Sequence, residues 1–202
     1  MYKRQDTDIQ AGDKGYALTE SLGIPLVIME PVKGGSLSFL PDDIAASLKA
    51  ERPDSSISSW ALRWVASKPN VKVVLSGMST MEQVEDNLHT FGKFEPLTEK
   101  ETNLIAKTAD NIKKRTKNGC TGCAYCMPCP FGVDIPKNFR IWNELSMYGN
   151  KEKAKQAFFH DLNSAARADQ CQKCGKCETV CPQGISIREN LAEAANDFNK
   201  LK

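Results

Sequence analysis

No cysteine occurs before residue 120, although the 202-residue chain has eight. All of them fall between residues 120 and 181, so the composition breaks near "KKRTKNG" (113–119), where a helical pattern ends in Asn118-Gly119. The break sets an expected boundary between a domain over 6–112 and another over 113–202, and the length allows one large domain or two small ones. Long apolar runs are also missing. The longest, "IPLVIM" (24–29), is too short to cross a bilayer. The N-terminus lacks the apolar stretch of a secretory signal, which makes a reducing cytoplasm the expected location and weakens a disulfide framework. An excess of one charge is missing too. The 27 Lys and Arg against 25 Asp and Glu leave +2, which favours neither nucleic acid nor a strongly acidic partner.

The cysteines come in two runs. The second reads Cys171-x2-Cys174-x2-Cys177-x3-Cys181-Pro182, the spacing of bacterial two-cluster ferredoxins. Three thiolates two residues apart wrap the corners of one cubane, Gly175 relieves the tight turn, and the fourth cysteine serves the other cluster. The first run, Cys120-x2-Cys123-x2-Cys126-x2-Cys129-Pro130, is one residue shorter before its last cysteine. By the two-cluster rule one [4Fe-4S] cluster takes Cys120, Cys123, Cys126 and Cys181, and the other takes Cys171, Cys174, Cys177 and Cys129. Zinc ribbons show separated pairs rather than triplets, and neither run contains a histidine. The spacing favours iron over zinc or disulfides.

Helical periodicity continues around the runs. Phe139, Trp142, Leu145 and Met147 predict a helix ending at Gly149. Ala154, Ala157, Phe158 and Leu162 predict a second, and Leu191, Ala194, Ala195 and Phe198 a third over 187–202. The whole is expected to be an α-helical ferredoxin-like domain. Lys137, Arg140, Lys151, Lys153 and Lys155 read as its solvated face.

The first 112 residues alternate differently. A helix is expected over 13–22, strands over 25–30 and 71–77, and helices over 41–50, 55–68, 79–91 and 98–114. Ser79 with Glu82, and Thr98 with Glu101, are spaced as capping boxes. Such βα alternation implies a parallel sheet. The turn "SGMST" (76–80) leads from strand to helix, where backbone N–H groups and the helix dipole make a possible anion site. Trp60 and Trp64, four residues apart, are expected to be core. His89 is expected at a helix surface or cap, and His160 to pack near the clusters.

"MEPVKGGSL" followed by "SWALRWVASKPNVKVVLSGMSTMEQVEDNL" resembles the seventh and eighth βα units of the aldo/keto reductase (β/α)8 barrel. With "CTGCAYCMPCPFGVDIP" added, the chain resembles the aldo/keto reductases that carry a C-terminal 4Fe-4S ferredoxin domain. The resemblance implies the C-terminal part of a TIM barrel, with the loop of Glu30, Pro31, Lys33, Gly34 and Gly35 over a cofactor pyrophosphate. It places Gly77, Met78, Ser79, Gln83, Asp86 and Asn87 at the adenosine end of NAD(P). Relatives that prefer NADP often carry Lys or Arg in the last turn, and "SGMST" has neither. The family's catalytic Asp, Tyr, Lys and His lie on earlier strands, and no residue here corresponds to them.

Residues 1–5, "MYKRQ", stand where the family has its sixth strand. Tyr-Lys-Arg-Gln is the in-frame translation of TATAAGAGACAG, the end of a sequencing-library adapter, so this segment is expected to be a scar. Two strands cannot close an eight-stranded barrel, and residues 1–112 alone are expected to be marginal and aggregation-prone. The sequence therefore reads as the C-terminal portion of an iron–sulfur oxidoreductase, an NAD(P)-linked barrel coupled to two [4Fe-4S] clusters. Its substrate would be a small carbonyl or related molecule and its protein partner a redox carrier, with no nucleic acid and no membrane span. The chain itself, lacking the catalytic tetrad, is expected to be inactive in carbonyl reduction. The alternative is a ferredoxin-like electron carrier that docks to partners without catalysis of its own. A third possibility is that the clusters only brace the fold.

Overall fold

The computed structural model describes residues 12–202, which divide into two compact units at Asn111 and Ile112. The expected scar at 1–5 lies outside the described residues. The first unit runs α1 Gly12–Ser21, β1 Leu26–Ile28, α2 Asp42–Glu51, α3 Ile57–Ala66, β2 Val71–Val74 and α4 Met81–Gly92, and the division falls within α5 Glu99–Lys113. The strands pair in parallel, Val27 with Val73 and Ile28 with Val74. Both are shorter than their apolar runs. Among the described residues each strand has only the other as neighbour, and Glu30 turns left-handed at φ 51° just after β1. The pair is open and forms no barrel.

Tyr16, Leu26, Ile28 and Val65 form the buried cluster around the strands, with Trp64, Val71 and Val74 packed on it. Trp60 is also buried, as its place on α3 predicts. Val73 and Leu75 are 45% and 44% exposed, so apolar side chains within and just after β2 face solvent.

The helix starts separate good cap readings from poor ones. Thr98 and Glu101 form the expected box. The Glu101 N–H donates to Thr98 Oγ1 at 3.2 Å, and the Thr98 N–H donates to Glu101 Oε2 at 2.8 Å. At α4 the expected pair, Ser79 and Glu82, is one residue out of register. Thr80 is the N-cap, accepting from the Gln83 N–H, while Gln83 Oε1 accepts from the Ser79 N–H at 2.8 Å. A threonine followed three residues later by glutamine satisfies the same rule, and its extended backbone, φ −131°, enters the helix there.

The second unit holds α6 Ile135–Tyr148, α7 Lys151–Lys155 and α8 Ile187–Asn199, joined by short 3-10 turns at 164–166 and 168–170. Asp134 caps α6 by accepting from the Lys137 N–H at 3.1 Å, and Gly149 ends it at φ 69°. The second expected helix changes character after Lys155, where Gln156–His160 forms a wider π turn. The extra residue brings Phe158 into the core, stacked on Phe198 with centroids 4.0 Å apart. It leaves His160 exposed rather than packed near the cysteines, against the sequence expectation. Phe139, Trp142, Phe158 and Phe198 are each no more than 2% exposed.

Candidate metal centre

The two cysteine runs fold alike. Gly122 and Ala124 flank Cys123 with φ of 72° and 63°, and Lys173 and Gly175 flank Cys174 with 55° and 80°. Left-handed backbone on both sides of the middle cysteine turns the chain sharply within each triplet. For Ala124 and Lys173 this conformation costs on the order of 1 kcal/mol each. Cys123 and Cys174 are the exposed members, and the other six are half-buried. Those six rest against the apolar core of the second unit. All eight thiols are free of disulfides.

Two cavities separate the thiols. Cys120, Cys123, Cys126 and Cys181 line a small one of about 20 Å³. Cys129, Cys171, Cys174 and Cys177 line a larger one of about 180 Å³, and Cys126 contributes to its wall as well. Cys181 thus joins the first triplet and Cys129 the second, across the sequence. Among the described residues no three His, Cys, Asp or Glu side chains stand close enough to share a single ion. Soft thiol donors in this number suit iron–sulfur chemistry.

Electrostatics follow the same grouping. Burial pushes the Cys126 thiol up, and neighbouring Cys120, Cys123 and Cys181 add to the shift. Burial and the Glu178 carboxylate push Cys177 up to about 11, with Cys171 and Cys126 contributing. Thiols held this way release protons when metal binds them as thiolates. The Lys173 N–H donates to Cys171 Sγ at 3.4 Å. Arg188 Nε donates to Glu178 Oε2 at 2.9 Å, and the guanidinium lies over Gly175, where a Cβ would meet it at 3.6 Å.

Three asparagines hold the loops, of which the sequence pattern marked only Asn118, as the end of a helix. The Asn118 side-chain oxygen accepts from the Cys120 N–H at 3.1 Å. Asn143 Oδ1 accepts from the N–H groups of Lys117 and Asn118. Asn138, fully buried, donates to the carbonyls of Asp134 and Ala166 and accepts from the Ala168 N–H. A signal existed. Asn138 stands four residues before Trp142, and Asn143 four after Phe139, inside the apolar stripe of α6.

In the first unit Pro31 is buried, Lys33 half-buried, and Gly34 and Gly35 exposed, and Glu30, Lys33, Gly34 and Gly35 are all left-handed. Gly77, Met78, Ser79 and Gln83 are exposed where β2 gives way to α4. The Ser79 N–H, part of the expected anion site, is already taken by Gln83 Oε1. Asp86 Oδ2 accepts from the Ser56 hydroxyl at 2.7 Å, and Asn87 donates to Ser76 Oγ at 2.9 Å. Asp86 thus ties α4 to the start of α3, and Asn87 braces the turn after β2.

Comparison with known proteins gives two family matches. Residues 14–110 match the aldo/keto reductase family, whose fold is of the TIM-barrel type, and residues 119–186, with all eight cysteines, match the 4Fe-4S dicluster domain. The chain is also similar to an iron-sulfur subunit of the CoB--CoM heterodisulfide reductase of Methanocaldococcus jannaschii. The two are 27% identical over 184 residues, which cover 87% of this chain and 22% of that protein. No solved structure gives a match. Among the described residues no helix is long and apolar enough to cross a membrane. The chain thus joins a segment that matches the aldo/keto reductase family, residues 14–110, to one that matches the 4Fe-4S dicluster domain, residues 119–186.

Proposed function

We propose that this chain is part of an iron–sulfur oxidoreductase in which an NAD(P)-linked barrel works with two [4Fe-4S] clusters. Cys120, Cys123, Cys126 and Cys181 would hold one cluster, and Cys171, Cys174, Cys177 and Cys129 the other. The observation that carries the reading is the sorting of eight free thiols around two cavities that share Cys126 in their walls. Bound clusters would supply one-electron transfer. The chain's own residues keep water from one side of each cavity, through the core beneath six of the cysteines. They also offer an N–H to Cys171 beside the second triplet.

For the nicotinamide cofactor, Glu30, Pro31, Lys33, Gly34 and Gly35 would cover the pyrophosphate. Gly77, Met78, Ser79, Gln83, Asp86 and Asn87 would border the adenosine. Both groups follow the C-terminal ends of parallel strands, where barrel enzymes place their sites. The substrate class is a small carbonyl or related compound, and eight reduced thiols suit a reducing compartment such as the cytoplasm. A second reading, an electron-carrier module without catalysis, is favoured by the similarity to an iron–sulfur component of a reductase.

The test is iron, zinc and acid-labile sulfide per chain, measured on anaerobically purified protein. About eight iron and eight sulfide support two clusters. About four of each would mean that one cavity fails to assemble. Roughly two zinc without sulfide would overturn the electron-transfer reading.

A further inference from the structure

The two cysteine cavities share a backbone design but differ at their rims. No charged residue lines the first. Lys173, Lys176 and Arg188 line the second, and no acidic residue does. Arg188 is paired with Glu178 at 2.8 Å, so its charge is largely offset. Lys173 and Lys176 are exposed, and neither ammonium has a partner among the described residues. The second unit also exposes three large apolar side chains, Tyr125 at 69%, Phe131 at 49% and Val180 at 48%. All three line this same second cavity. The exposed Cys174 lies among them.

We propose that this rim is the docking surface for an acidic electron-carrier protein. The inference rests on the proposed function, because it assigns a partner to the cluster that Cys171, Cys174, Cys177 and Cys129 would hold. An apolar centre of Tyr125, Phe131 and Val180 has the make-up of an interface core, and the two lysines that of a charged rim. Redox encounters use small interfaces, and rim charges act on the rate of encounter more than on final affinity. An acidic partner meets the lysines while its cofactor approaches Cys174, the thiol nearest solvent in that triplet. One electron crosses, with no bond or proton changing hands. The first cavity offers no such rim.

The test uses the intact chain with its iron and sulfide content verified first. An acidic [2Fe–2S] ferredoxin, reduced beforehand, delivers one electron to the oxidised chain in a stopped-flow mixture. Reduced methyl viologen, a small cation, serves as a donor that needs no docking. At low ionic strength the Lys173→Gln/Lys176→Gln double variant is expected to slow the ferredoxin reaction about three- to tenfold and flatten its salt dependence. The methyl viologen rate stays unchanged. Phe131→Ser is expected to slow the ferredoxin reaction without altering the salt slope. Unchanged ferredoxin rates in both variants would overturn the docking surface. So would equal slowing with both donors, since the lysines would then act on the cluster potential alone. A wild-type chain that binds no iron or sulfide would instead overturn the proposed function, and this inference with it.

Discussion

The two units solve the burial problem differently. In the second, fourteen buried residues form one core, and the cysteine loops lie directly on it. Among the described residues of the first, the buried cluster around the strands has four members, while Val73, Leu75 and Met78 are each at least 44% exposed. A helical unit can close its apolar stripe with three helices and short turns. A two-stranded parallel pair cannot, because its faces and edges need further layers. The iron–sulfur unit thus carries a site on finished packing. The first unit carries its candidate cofactor residues beside a strand pair that leaves apolar side chains exposed.

The comparison breaks most severely at the thiols. Cys181→Ser and Cys171→Ser each remove a donor from a different cavity, and each is expected to lower iron from about eight to about four per chain. Metal analysis with visible absorbance checks this. Iron unchanged in either variant would contradict the assignment of that cysteine.

Core substitutions come next. Phe198→Ala removes a ring that is 0% exposed and stacked on Phe158, and it should cost about 3–5 kcal/mol. Denaturant midpoints of the iron-loaded chain, followed by loss of visible absorbance, measure it. Val73→Ser in the other unit, at a 45% exposed position, should stay within about 0.5 kcal/mol and improve solubility. A loss at Val73 comparable to that at Phe198 would erase the contrast between the units.

The first unit does contain one well-made polar core. Glu101, only 2% exposed, accepts from Arg52 Nε, from Arg63 Nη1 at 3.2 Å, and from the backbone and hydroxyl of Thr98. Arg63 also donates twice to the Glu95 carbonyl. Burial alone would raise the Glu101 pKa, but Arg52, Thr98 and Arg63 outweigh it and bring the carboxyl from 4.5 down to about 2. A lowered folded-state pKa gives stability that is complete above pH 4.5 and is lost as the pH falls toward 2. Glu101→Gln should cost about 3 kcal/mol at neutral pH, since it leaves Arg63 buried without its carboxylate. It should also flatten the acid limb of the first unit's stability, followed by tryptophan fluorescence at Trp60 and Trp64. An acid limb as steep as wild type would mean that another carboxylate sets it.

What the sequence made legible follows from the range of each interaction. The two cysteine triplets were readable because each repeats a fixed local spacing, and the structure sets Cys181 beside the first and Cys129 beside the second as cavity lining. The Thr98–Glu101 box was readable because both partners lie within one turn. The arginines that hold Glu101 were not, since Arg52 and Arg63 reach it from 49 and 38 residues away. Nor was the π turn after Lys155, which depends on Phe158 finding Phe198 across the core. The lysine and apolar rim of the second cavity joins residues from both runs, so no single window of sequence contains it.

The smallest effect tests the sharpest discrepancy, the register of the α4 cap. Ser79 and Thr80 are adjacent, both hydroxylated and both exposed, so composition does not choose between them. The hydroxyl of Thr80 accepts from the Gln83 N–H, satisfying an otherwise unpaired amide of the first turn. The Ser79 side chain makes only a 3.3 Å contact with Gln83, whose oxygen is already held by the Ser79 N–H at 2.8 Å. Thr80→Ala should therefore cost about 1 kcal/mol, and Ser79→Ala no more than a few tenths. Denaturant midpoints of the first unit, read from tryptophan fluorescence, separate the two. A larger loss at Ser79 would return the cap to the register of Ser79 and Glu82. It would also free the Ser79 N–H and Gln83 from each other, making that turn a more open anion site than its present hydrogen bonds allow.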